Sequence, residues 1–204
     1  LEERARQGQL DVTVLFSRAA ARDMVFDHLL DEDVFVILQA DTTLLPPTQS
    51  SLTLAELAAL PLVMSSPQHS IRRRLALELE RAGLEARIVA EIDSPELVMR
   101  YVAEGAGATV QPMAATLCGV VATGWRCLPI TDVPMTRPNY LYAQPLQRLT
   151  ASASVVRTEL ADVVRTLVEQ RSWPGVQLVR PAVPDHGALP KGAEKVTRQG
   201  EGRS

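Results

Sequence analysis

The chain has 204 residues, 46% of them hydrophobic and 22% charged, with a formal net charge of -3. That length suffices for one large domain or two small lobes, and the balance is ordinary for a globular protein. The charge excludes a self-sufficient nucleic-acid-binding face, and no apolar run reaches the roughly 18 residues needed to cross a bilayer.

Leu1 to Gln7 read as the closing turns of a helix stopped by Gly8 at C′. A chain rarely starts there, and no basic-then-apolar leader precedes it, so a cytoplasmic fragment of a longer protein is expected. Leu10 to Phe16 is a β-branched run of strand length ending at Ser17. Ala19 to Asp27 reads as a loop or short helix. Val34 to Leu38 is a continuous apolar run, as in a strand buried on both faces. A Pro46-Pro47 loop follows, then a short helical turn over Leu54–Ala59 and a strand over Pro61–Met64.

That strand leads through Ser65-Ser-Pro-Gln-His69 directly into a helix. Ile71, Leu75, Leu79 and Ala82 give the helix its apolar stripe, and Gly83 ends it. Ala86 to Ile92 is a strand, and Asp93-Ser94-Pro95-Glu96 is a strong helix start, with a Ser N-cap and Pro at N1. This second helix stops at Gly105, before a strand over Thr109–Pro112 and an Ala-rich helix over Met113–Val121. Trp125 to Ile130 and Asn139 to Ala143 read as strands, separated by a break from Pro134 to Pro138. Thr150 to Gln170 is the longest helix, and its Val156, Leu160, Val163 and Leu167 face is expected to pack on the sheet. Residues 171–204 lose all periodicity and read as a disordered tail.

Alternating strands and helices predict an α/β class with largely parallel sheet. Two strands that follow long non-helical connections, Val34–Leu38 and Asn139–Ala143, look like crossings between two lobes with a cleft between them. The Ser65–His69 loop places a helix N-terminus at the carboxyl end of a strand, where backbone N–H groups and the helix dipole favour small polar or anionic ligands. Arg72 and Arg73 would attract an anion there, or form a solvated helix face. Ser66 or Ser70 would contact ligand, or cap the helix. Catalysis finds no support. Asp11 and Asp93 have no partner acid, the thiols Cys118 and Cys127 are too far apart for a Cys-x-x-Cys motif, and His28, His69 and His186 are scattered, so no enzyme, metal or cofactor is expected.

In order and spacing, Gly8-x-Leu10-Asp11-Val, Leu54-Ala-Glu-Leu-Ala-x-Leu-Pro61-Leu-Val, Pro67-x-His69-Ser70-Ile-Arg72-Arg73, Asp93-Ser94 and Val102-x-x-Gly105-x-Gly107-x-Thr109-Val-x-Pro112 resemble one family. It is the effector-binding domain of LysR-type transcriptional regulators, especially its nitrogen-assimilation-control-like subgroup. The resemblance implies a two-lobed, type 2 periplasmic-binding-protein-like fold with the first lobe truncated at its N-terminus. Residues 1–37 and 139–170 would form lobe I, and 38–138 lobe II. It implies a cytoplasmic transcription factor that dimerises or forms tetramers and reaches DNA only through a winged helix-turn-helix outside this chain. A small-molecule effector would sit between the lobes against Ser65, Ser66, His69, Thr109, Gln111, Pro112, Phe16 and Ser17. A transport solute-binding protein of the same fold is the rival reading.

Overall fold

The computed structural model describes residues 1–18, 21, 23–117 and 124–179. A short helix, α1 (Glu2–Arg6), precedes β1 (Val12–Leu15), with Gly8 at a positive φ between them. The next strand, β2, runs unbroken from Val25 to Gln39. It begins within Ala19–Asp27, a segment whose sequence reads as a loop or short helix, and takes in Asp31–Asp33 before reaching Val34. A 15-residue strand with charged residues at its middle is hard to read as a strand, because its two halves are buried by different partners.

The first half of β2 lies between β7 (Thr136–Ala143) and β8 (Val176–Leu178), and β7 also pairs with β1. This is the smaller sheet, with a core of Leu15, Met24, Tyr140 and Tyr142. The second half of β2 lies between β5 (Thr109–Pro112) and β6 (Trp125–Pro129). In this larger lobe β3 (Leu62–Met64) pairs in parallel with β4 (Ile88–Glu91), and a bridge from Leu62 to Ala108 joins β3 to the start of β5. Val34, Val36 and Leu38 pack in its core with Leu57, Leu62, Leu75 and Val110. The chain therefore crosses between lobes near Asp33–Val34, and it returns at Met135–Thr136, where the Val34 amide donates to the Met135 carbonyl.

The expectation of a largely parallel sheet is corrected. β2 runs antiparallel to β5, β6, β7 and β8, because one strand carries the chain from lobe to lobe against the direction of its neighbours. Three further expectations change. The helix expected over Met113–Val121 is a 3-10 turn over Met113–Leu117, and residues 118–123, Cys118 among them, lie outside the described residues. Val176–Leu178, expected in a disordered tail, is a strand; residues 180–204, including His186, lie outside the described residues.

The third change concerns the long helix, α5 (Ala151–Glu169), whose apolar stripe does not pack on the sheet. Val156 and Val163 are half-exposed, while Ser154, Arg157, Ala161, Val164 and Val168 form the less exposed stripe. Arg157 on that stripe pairs with Asp27 at the start of β2.

Helices α2 (Leu54–Ala59), α3 (Ser70–Ala82) and α4 (Pro95–Ala103) belong to the larger lobe. Their starts and stops follow local chemistry. Thr53 and Glu56 form a capping box on α2, Gly83 takes the left-handed conformation after α3, and Ser94 caps α4 ahead of Pro95.

Between α4 and β5, Gly107 lies against the chain entering β3: a Cβ there would sit 2.7 Å from the Pro61 carbonyl oxygen. That carbonyl accepts from the Ala108 amide at 2.8 Å, so it cannot withdraw without losing the bridge. Gly107→Ala is expected to cost about 1–3 kcal/mol by overpacking, measured by chemical denaturation. An unchanged midpoint would mean that the strands can separate at no cost.

Candidate functional site

A cavity of about 520 Å³ opens between the lobes. The smaller lobe contributes Phe16, at the end of β1, and the first turn of α1. The larger lobe contributes Ser65 and His69 from the loop after β3, Arg73 from α3, Asp93 after β4 and Gln111 on β5. Arg137, on β7 beside the crossing, completes the wall.

The loop after β3 is held by Asp93. One carboxylate oxygen accepts from the Ser66 amide at 2.8 Å and the other from the Ser66 hydroxyl at 3.1 Å. His69 Nε2 lies 3.2 Å from the same carboxylate. The Ser66 bonds, first the amide and then the hydroxyl, hold the Asp93 carboxyl below its ordinary range, with His69 adding to them. Ser66 therefore neither caps α3 nor faces the cavity. The N-cap of α3 is His69, and no side chain caps it, so the first turn of the helix meets the cavity at Ser70 and Ile71 with its N–H end open.

The sequence-derived residues divide. Phe16, Ser65, His69 and Gln111 line the cavity, and Ser17 lines an adjoining one. Thr109 is fully buried, and its hydroxyl lacks a hydrogen-bond partner among the described residues; neither it nor Pro112 lines the cavity. Thr109 and Gln111 share one face of β5, and what separates them is depth: Gln111 is partly exposed at the cleft, whereas Thr109 lies farther back and is fully buried. The Tyr142 hydroxyl, from the core of the smaller lobe, donates to the Ser17 carbonyl at 2.7 Å and fixes the turn that presents Phe16.

Sequence reasoning missed Arg137 and Glu32. Glu32, on β2 at the crossing, is 1% exposed. Its carboxylate accepts from Arg137 Nε at 2.8 Å and from Asn139 Nδ2 at 2.9 Å. The Arg137 guanidinium carbon also lies 4.3 Å from the centre of the Phe16 ring, a cation–π contact. Arg137 thus ties β1, β2 and β7 together at the cavity wall. Its only sequence signal is an arginine before Pro138 in a proline-broken stretch, and Glu32 is one acid in Asp31-Glu32-Asp33.

These pairings leave an electrostatic remainder. Glu2 and Glu3 pair with Arg6, Asp93 lies beside His69, and Arg137 pairs with Glu32. Arg73 is the cavity cation with no ion pair among the described residues. The described residues contain no group of three or more His, Cys, Asp or Glu side chains that could hold a metal ion.

Residues 1–165 match the LysR substrate binding domain. The chain belongs to that family. Over 127 residues, 61% of this chain, it is 33% identical to the nitrogen assimilation regulatory protein nac of Klebsiella aerogenes, and the match spans only 40% of that regulator. The regulatory domain of CcmR from Synechocystis PCC6803, solved in complex with 2-PG, superposes with a TM-score of 0.70 at 18% identity, covering 81% of this chain and 78% of that one. The BenM effector binding domain, solved with its effector benzoate, has a TM-score of 0.65 at 17% identity over 90% of this chain and 77% of that one. The fold is the two-lobed periplasmic-binding-protein-like fold of LysR effector-binding domains. No helix among the described residues is long and apolar enough to cross a membrane.

Two outcomes follow from this geometry. Arg137→Ala strands the buried Glu32 carboxylate and is expected to cost about 3–5 kcal/mol in chemical denaturation; a loss under about 1 kcal/mol would mean that water reaches and solvates the carboxylate. The Asp93 contacts are present while its carboxylate is ionised and are lost as pH falls through its depressed pKa. The Ser66 amide proton resonance should titrate with a midpoint below that of an ordinary aspartate and stop titrating in Asp93→Asn. A midpoint at or above the ordinary value would contradict the bonding described.

Proposed function

We propose that this LysR-family domain is an effector sensor of a transcription regulator, with the small molecule held in the cavity between Phe16, Ser65, His69, Gln111, Arg73 and Arg137. The observation that carries this reading is a wall built from both lobes and from the strand at their crossing. A ligand touching both lobes binds one lobe arrangement more tightly than another and shifts the balance between them. Self-association passes that shift to a winged helix-turn-helix outside this chain, in the cytoplasm.

The effector is an anion. Arg73 faces the cavity without a partner charge, beside the open N–H end of α3. The benzoate bound by BenM is a carboxylate of this kind. Family membership favours regulation over a transport solute-binding protein, which shares the fold but not the regulatory relatives.

The deciding experiment measures operator binding by the full-length regulator with and without candidate carboxylates, and repeats it with Arg73→Gln. The expected result is a ligand-dependent change in affinity, of the order of 1–3 kcal/mol of coupling, which Arg73→Gln reduces. If a ligand seen in the cavity leaves affinity and stoichiometry unchanged, the sensor reading fails.

A further inference from the structure

At the lobe crossing, β2 is held from both of its edges. Consecutive amides of a strand point to opposite edges. Here the Val34 amide donates to the Met135 carbonyl at 3.0 Å, and the Asp33 amide donates to the Gly175 carbonyl at 2.8 Å. On the first edge the partner is the returning chain that becomes β7. On the second it is the segment that follows α5. There β8 pairs with the smaller-lobe half of β2, with Leu178 opposite Leu30, Gln177 opposite Asp31 and Val176 opposite Glu32. Gly175 lies against the larger lobe instead: a Cβ on it would be 3.1 Å from the Phe35 ring and 3.5 Å from Met113 Cβ. Phe35 belongs to the part of β2 paired with β5 and β6, and Met113 directly follows β5. Residues 173–178 therefore hold to one lobe by ladder bonds and to the other by packing.

The two edges are not equally firm. β7 pairs with β2 along its whole length and buries Tyr140, Leu141 and Tyr142. β8 offers only a short ladder, in which Val176 and Leu178 are partly buried. Two local costs weigh against it as well. Arg171, just after α5, has a φ of 55°, in the left-handed region that glycine or asparagine adopts more readily. The buried indole N–H of Trp173 has no hydrogen-bond partner among the described residues, and such a donor regains water when its segment lifts. Few fastenings and two built-in costs mark this segment as the one that opens first.

We propose that residues 173–178 form a detachable strap across the hinge, which limits how far the two lobes rotate about the β2–β7 crossing. With the strap seated, Phe35 and Met113 meet the Gly175 backbone when the larger lobe turns toward β8, so the cleft keeps a narrow range of widths. With the strap lifted, β2 and β7 alone join the lobes at the crossing, and a hinge of two strands turns more freely on that side. The strap follows from the contacts at the hinge and stands whatever the cleft binds.

The test uses the full 204-residue chain and two readouts. Amide hydrogen exchange reports the strap: in the unaltered chain the Asp33 amide is expected to exchange about tenfold or more faster than the Val34 amide, after correction for intrinsic rates. Electron–electron distance measurement reports the lobes, with spin labels at Val163→Cys on α5 and Leu97→Cys on α4, both half-exposed, in a Cys118→Ser, Cys127→Ser background. Gly175→Val sets a β-branched residue at a φ of 71° beside the Phe35 ring. It should raise the Asp33 rate about tenfold further, leave Val34 protected and broaden the distribution of interlobe distances. Gly175→Ala, which keeps the Cβ contact without the branch, carries the same readouts if the valine variant does not fold. The proposal is overturned if Asp33 and Val34 exchange at one rate in the unaltered chain, or if neither Gly175 variant deprotects Asp33 ahead of Val34. It is also overturned if the interlobe distances stay as narrow with Asp33 deprotected as without.

Discussion

Where β2 leaves the smaller sheet and enters the larger, the chain buries the carboxylate of Glu32. An isolated buried carboxylate costs several kcal/mol, so its partners are obligatory. Arg137 and Asn139 both come from β7, the strand that brings the chain back. The two crossings are thereby clamped to each other by charge as well as by ladder hydrogen bonds. Because Arg137 then spreads over the Phe16 ring, the same clamp sets the position of the β1 end that faces the larger lobe.

The same logic runs through the first cavity. Its acids and bases are mostly matched within their own walls: Asp93 with Ser66 and His69, Glu2 and Glu3 with Arg6. Groups used up in this way shape the wall and contribute little field. The lining groups left outside these pairings are Arg73, the open start of α3, Ser65 and Gln111. Such a surface orients a polar molecule.

Local rules made much of this legible. Ser94-Pro95 and the Ile71–Leu75–Leu79 stripe predict α4 and α3 within a residue or two, since caps and helical periodicity are written in adjacent residues. The Ser65–His69 loop was found for the same reason. What escaped depends on partners distant in the chain. Glu32 and Arg137 are 105 residues apart, and neither looks unusual in its own segment. Thr109 is placed correctly in a strand, but it lies deeper than Gln111 on the same face, and depth within a lobe is not written in a four-residue strand. In α5 the periodicity identifies a helix and names the wrong face: Val156 and Val163 are half-exposed, while Ser154, Arg157, Ala161, Val164 and Val168 are less so.

The magnitude of the response such a domain needs is modest, and the wall matches it. A hydrogen bond to a charged group is worth about 1.5–3 kcal/mol, while coupling between sites is typically about 1–3 kcal/mol. One charge-assisted contact made in only one lobe arrangement therefore supplies the whole bias. Arg73 is suited to that part. It sits on α3, in the larger lobe, while Phe16 and Arg137 present the opposite wall from strands of the smaller sheet. A ligand bridging them draws on the full contact only when the lobes close to the right separation, and a cleft crowded with further salt bridges would bind more tightly without discriminating better.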